Sequence, residues 1–188
     1  CERINEIQHL LHKNGIHPTV INVGGGLGID YQLPSEHPIA DFKAYFRVFT
    51  QHLHLRPAQS LHFELGRSVV AQCGSLITRV LYVKQTATKQ FAIVDAGMTE
   101  LIRPALYQAK HKIVNLTSRL DIQEKYDVVG PICESSDVFD KDLVLPVTQR
   151  GDILAIRSAG AYGESMASTY NCRSLPKSFT DKEVEISI

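Results

Sequence analysis

Five short stretches carry residue types that could do chemistry. VGGGLGIDY places Gly24, Gly25 and Gly26 at the end of an apolar run, with Gly28 just beyond. Glycines there allow positive φ and bring backbone N–H groups against an oxyanion such as a phosphate. A plain tight turn would use the same residues. It is not a dinucleotide fingerprint, because Ile29 stands where the third glycine would fall, and there is no Walker lysine. HFELGRS sets Glu64 and Arg67 at the end of the next apolar run, as ligand-binding groups or as an ion pair capping a strand. In DAGMTELIRPALY, a helical turn opened by Pro104 would put Arg103 and Tyr107 four apart on one face. A guanidinium beside a phenol suits a carboxylate; an arginine stem lying on a surface tyrosine is the alternative.

GPICESSD brings Cys133, Glu134 and Asp137 just after a strand. A thiol among carboxylates suits a proton donor better than a standing nucleophile, while a small apolar core cysteine is the plainer reading. GAYGESMASTYN sets Tyr162 among Gly160, Ala161 and Gly163, as a phenol reaching a ligand or as a turn residue.

These residues must be held by two kinds of element. Up to about Arg67 the pattern is helix, strand, loop, helix, strand. A helix over 3–13 stops at Asn14-Gly15; TVINVGG is a short apolar strand of the kind buried on both faces. IADFKAYFRVFTQHLHL is helical, with Phe42, Tyr45, Phe46 and Phe49 on one stripe, and SLHFELG is the next strand. Buried strands joined by a helix argue for parallel β/α units. Beyond residue 68 a short helical stretch, SVVAQCG, gives way to Val-, Ile- and Leu-rich strands separated by turn residues, which predicts an antiparallel sandwich or barrel. Two parallel strands do not make a complete α/β domain, so further chain is expected before Cys1.

Composition narrows the function classes. Of the 188 residues 44% are hydrophobic, enough for a core, and twenty basic residues balance twenty acidic ones. That balance, with no basic run, argues against a nucleic-acid or polybasic membrane surface, and no apolar run reaches bilayer length. The four cysteines show no CxxC pairing and the eight histidines are scattered, so neither a metal site nor a disulfide framework is expected, and reduced cytoplasmic thiols are.

Taken together and in order, VGGGLGIDY, ELGR, DAGMTELIRPALY, GPICESSD and GAYGESMASTYN resemble the pyridoxal-phosphate-dependent decarboxylases of the alanine racemase fold, the ornithine/diaminopimelate/arginine group, and within it the diaminopimelate branch most closely. The resemblance spans about residues 20 to 171. It implies the last β/α units of a TIM-like barrel over 1–72, followed by an antiparallel, Greek-key-like β-barrel over 73–188, with the active site shared across a homodimer. It implies that Gly25 and Gly26 hold the phosphate of pyridoxal 5'-phosphate, that Gly66 and Arg67 in the adjoining turn also bind the cofactor, and that Glu64 pairs with the pyridine nitrogen. Arg67 would bind a substrate carboxylate, with Arg103 and Tyr107 fixing its distal end. Cys133 would protonate the substrate carbon from the partner subunit, Glu134 would take the distal ammonium, and Tyr162 would touch both cofactor and substrate.

Glu134 and the LIRPALY segment point to diaminopimelate rather than ornithine, which has no distal carboxylate for Arg103. The implied reaction is conversion of meso-2,6-diaminopimelate to L-lysine and CO2. A different decarboxylase of the group, acting on ornithine, arginine or carboxynorspermidine, and a non-catalytic regulatory paralogue are the alternatives. Three departures stand out. Leu65 replaces the usual proline of E-P-G-R, and Glu164 follows AYG where an aromatic or apolar residue is usual. The segments bearing the Schiff-base lysine and the ring-stacking histidine have no counterpart; Lys84 lies in the β pattern instead. The chain is therefore expected to be the C-terminal half of its enzyme, and inactive alone.

Overall fold

A computed structural model describes residues 1–180. Local sequence signals set its first elements. Helix α1 (Glu2–Lys13) ends at Asn14, whose backbone N–H and side-chain amide return to the last helical carbonyls. Helix α2 (Phe42–His52) starts at Asp41, whose carboxylate accepts the Ala44 N–H at 2.8 Å and satisfies one of the orphan donors of a helix start. Strands β1 (Val20–Asn22) and β2 (Ser60–His62) pair in parallel, as the β/α pattern predicts. The α2 stripe meets them through Phe63, whose ring lies 4.9–5.9 Å from those of Tyr45, Phe46 and Phe49. The strands are not buried on both faces as expected: Ile21 is 9% exposed but Val20 is 47% exposed. Among the described residues the two strands have no further strand beside them to cover the second face and the edges.

A short helix α3 (Arg67–Val70) and a 3-10 turn (Ala71–Cys73) lead into six strands. These are β3 (Ser75–Gln85), β4 (Gln90–Val94), β5 (Ile113–Asn115), β6 (Gln123–Val129), β7 (Val138–Pro146) and β8 (Ile153–Arg157), with helix α4 (Arg103–Tyr107) between β4 and β5. They form one sheet in the order β5-β8-β3-β4-β6-β7. The long β3 is its spine. Residues 75–79 pair with β8, and the stretch from Val80 to Gln85 pairs with β4 across an irregularity between Val80 and Tyr82. Val80, Val94, Leu101, Tyr126, Val128, Leu154 and Ile156 fill the core.

The antiparallel expectation fails at one place: β4 and β6 run parallel. Residues 95–122 between them hold α4 and β5, a connection long enough to carry the chain back to the same end of the sheet. The edge strands β5 and β7 share no ladder, so the sheet nearly closes rather than closing. Asn115 of β5 spans the gap by donating to Thr148 Oγ1, just past β7, at 3.1 Å. No helix among the described residues is long and apolar enough to cross a membrane.

The junction between α3 and the loop after β8 is close-packed. Gly160 N donates to Ala71 O and Ala159 N to Gly74 O, both at 2.9 Å. A Cβ on Gly160 would collide with Val70 O and Gly74 N. Gly160→Ala is therefore expected to lower stability by ~1–3 kcal/mol, an overpacking cost. Denaturant titration would read it as a lower midpoint at unchanged slope.

Candidate active site

The glycine turn follows β1 and backs onto the segment after β2. Gly24 and Gly26 have φ of 70° and 100°, a region L-residues seldom occupy. Glu64 N donates to Gly24 O at 2.8 Å, and a Cβ on Gly25 would stand 2.5 Å from Glu64 O, so only glycine lets the two segments touch. Asn22 ties the unit together, accepting from Gly24 N (2.8 Å) and donating to Glu64 Oε1 (2.7 Å). The N–H groups of Gly25, Gly26 and Leu27 have no partner among the described residues. They form a donor set of the kind that binds an oxyanion, with Gly26 exposed and Gly25 and Leu27 half-buried. Glu64 and Arg67 do not form the ion pair that was one alternative: Glu64 is engaged by Asn22, and the Arg67 guanidinium has no partner among the described residues.

Arg103 is the centre of a second group. It is 6% exposed, so it is not a surface arginine. Its guanidinium carbon lies 5.8, 5.6 and 5.8 Å from the ring centres of Tyr31, Tyr107 and Tyr162. Three electron-rich faces offset part of the cost of desolvating the charge. Pro104 in the first turn of α4 sets the predicted four-residue spacing to Tyr107. One terminal nitrogen donates to Tyr31 Oη at 3.3 Å, while Nε is buried without a partner. Tyr162 is half-exposed in a left-handed conformation, φ 58°. Its hydroxyl lies 3.3 Å from where a Cβ on Gly66 would be. The cluster thus joins the ELGR segment to the sheet.

Cys133 and Glu134 sit exposed in the loop between β6 and β7, so Cys133 is not a core cysteine. Asp137 shapes that loop. Its carboxylate accepts from Ile132 N (2.7 Å) and, across to the loop after β4, from Met98 N (2.6 Å). Burial pushes its pKa up, the two backbone donors pull it partly back, and nearby Glu100 raises it again. Glu100 in turn accepts from Gly97 N at 2.6 Å and from Arg173 Nε at 3.1 Å. Among the described residues, no hydrogen bond or ion pair joins Cys133 or Glu134 to Glu64, Arg103, Tyr107 or Tyr162. The chain brings its candidate groups into two sets.

Residues 20–160 match the family described as pyridoxal-dependent decarboxylase, C-terminal sheet domain. The chain belongs to that family. The diaminopimelate decarboxylase of Bacteroides thetaiotaomicron is 62% identical over 98% of this chain, which covers 47% of that protein. A crystal structure of Helicobacter pylori diaminopimelate decarboxylase complexed with L-lysine is 43% identical and superposes with a TM-score of 0.72, over 90% of this chain and 41% of that one. A lysine/ornithine decarboxylase from Vibrio vulnificus, 18% identical with a TM-score of 0.78, shares the fold. The chain thus spans about half, or less, of the length of these relatives.

The residues present fit the cofactor of a pyridoxal-dependent decarboxylase. The free N–H groups of the glycine turn suit its phosphate, and Glu64 keeps a second carboxylate oxygen for a ring N–H. Several groups that complete these sets were not singled out in the sequence. Tyr31, Glu100, His111 and Tyr170 act across 36 to 73 residues of chain, and only Tyr31, directly after the glycine turn, carried a local hint.

His111 is 2% exposed; its Nδ1 lies 2.9 Å from Arg157 O, and its ring packs edge-on to Tyr31 at 4.9 Å. Burial lowers its pKa below the ordinary 6.5, the carbonyl contact offsets part of this, and Arg103 lowers it again. Below that ordinary value the unfolded chain binds a proton that the folded one resists, so the stability His111 contributes is intact above ~6.5 and falls as pH drops. Between about pH 7.5 and about pH 5.5, the thermal midpoint should fall further in the parent protein than in His111→Gln.

Proposed function

We propose that this chain is the C-terminal part of a pyridoxal-phosphate-dependent diaminopimelate decarboxylase, converting meso-2,6-diaminopimelate to L-lysine and CO2 as a cytoplasmic homodimer. On this reading residues 1–72 complete a TIM-like barrel and 73–188 form the sheet domain, of which 181–188 lie outside the described residues. The observation that carries the substrate assignment is Arg103, a buried cation with an unpartnered Nε inside a ring of tyrosines. A buried donor of that kind calls for an anion, and diaminopimelate has a distal carboxylate where ornithine has none.

Pyridoxal phosphate, when bound, supplies a sink for the electron pair left on the α-carbon as CO2 departs. The chain's own residues do the rest. Gly25 and Gly26 offer backbone N–H groups to the phosphate, in the turn that Gly66 adjoins. Glu64 accepts a hydrogen bond from the ring nitrogen and, by its charge, keeps that nitrogen protonated. Arg67 holds a substrate carboxylate, Arg103 and Tyr107 fix the substrate's distal end, and Tyr162 contacts both cofactor and substrate from the sheet side. Cys133 Sγ holds the proton that replaces CO2 on the α-carbon, and Glu134 receives the distal ammonium. Two candidate sets that make no bond to each other among the described residues support a site completed by a second copy.

The test uses the full-length protein that contains these residues. It should decarboxylate meso-diaminopimelate in preference to ornithine; the reverse preference would overturn the assignment. Arg103→Ala should raise KM about 10- to 100-fold, the loss of a charged hydrogen bond, while leaving the bound cofactor's absorbance unchanged. Cys133→Ala should lower kcat about 100-fold or more, the size of a lost general acid. The 188 residues alone with the cofactor should release CO2 no faster than the free cofactor does.

A further inference from the structure

Tyr170 lies in the segment after the candidate Tyr162 loop and has no role in the scheme above. Its hydroxyl donates to Glu134 Oε1 at 2.6 Å. The other oxygen of Glu134 makes no hydrogen bond among the described residues. Both partners are exposed, where a chance contact between mobile side chains would be expected. Here neither backbone is free to drift.

On the tyrosine side, the segment is tied down before and after Tyr170. Ser168 N donates to Thr99 O at 2.9 Å. Arg173 bonds Glu100 Oε1 at 3.1 Å and also Asp95 O. Between these anchors Asn171 and Cys172 take left-handed φ of 58° and 59°, a costly conformation for a cysteine and one that persists only where the surroundings impose it. On the glutamate side, Glu134 N donates to Ile132 O (2.8 Å) and Asp137 N to Glu134 O (3.1 Å), inside the loop that the buried Asp137 carboxylate holds. Both segments are anchored on the loop after β4, the Glu134 loop through Asp137 and Met98 and the Tyr170 segment through Thr99, Glu100 and Asp95. Together they bring the phenol onto one oxygen of the carboxylate and leave the other without a hydrogen bond among the described residues.

We propose that Tyr170 is a positioning residue for Glu134, fixing its carboxylate so that the free oxygen receives a cationic group of the substrate. This rests on Glu134 being the acid for the distal ammonium. The hydroxyl takes up one lone pair, restricts rotation of the carboxylate and travels with it in the same chain, so the pair enters a shared site as a unit. The recognised chemistry is a primary ammonium at the far end of an amino acid.

The test compares Tyr170→Phe, Glu134→Gln and the double variant in the full-length, cofactor-loaded protein. Tyr170 is 52% exposed and phenylalanine keeps its ring, so the fold should survive, as thermal melting will verify. Tyr170→Phe should raise KM for meso-diaminopimelate about tenfold with kcat within about twofold. L-lysine affinity by calorimetry should weaken by a similar factor, while 2-aminopimelate, which lacks the distal amine, should bind both proteins alike. Added to Glu134→Gln, the tyrosine change should cost nothing more, because its effect passes through the carboxylate. Unchanged KM and lysine affinity, equal weakening of 2-aminopimelate, or additive losses in the double variant would each overturn the proposal while leaving the decarboxylase assignment standing. A wild-type protein that does not turn over diaminopimelate would overturn both.

Discussion

The parallel pairing of β4 with β6, sealed by the buried carboxylate of Asp137, is the constraint on which the arrangement of the sheet domain depends. Because the two strands run the same way, the loops that follow them leave from the same end of the sheet. Both loops leave backbone N–H groups without a ladder partner, and Asp137 accepts one from each, Met98 and Ile132. Gly97 and Gly130 make room for it: a Cβ on Gly97 would lie 3.0 Å from Asp137 Oδ2, and one on Gly130 2.6 Å from Oδ1. Glu100 does the same work within the first loop and recruits Arg173. Buried carboxylates that accept several backbone donors are stable only when the whole set is satisfied. The loops bearing Arg103 and Cys133 are therefore held in one register, although they are thirty residues apart in sequence.

A second tie joins the N-terminal β/α part to that end of the sheet. Tyr31, just beyond the glycine turn, accepts the Lys112 N–H at its carbonyl, packs on His111 and shares its hydroxyl with Arg103. The Tyr162 hydroxyl reaches Gly66 from the other side. The cost of burying a guanidinium is offset only when these rings surround it. The turn suited to a phosphate and the cation suited to a carboxylate are thus built as one unit.

Much of this was legible in the sequence because it depends on local chemistry. The Asn14 stop of α1, the apolar stripe of α2, the positive-φ glycines and the Pro104 turn that sets Arg103 beside Tyr107 follow from neighbouring residues. The five motifs in order carried the family. The parallel β4–β6 ladder was not legible, since alternating apolar strands read alike whichever way they pair.

The sequence by itself determined which residue types stand at which turns, because conformational limits on glycine, proline and capping residues act over a few residues. Only the tertiary structure decided which of those turns meet. Arg103 became a buried cation with a free Nε, and Glu134 a carboxylate held on one side by Tyr170, through contacts between segments 36 to 72 residues apart. Charges acquire their partners and their desolvation from packing, and no local pattern in the chain specifies either.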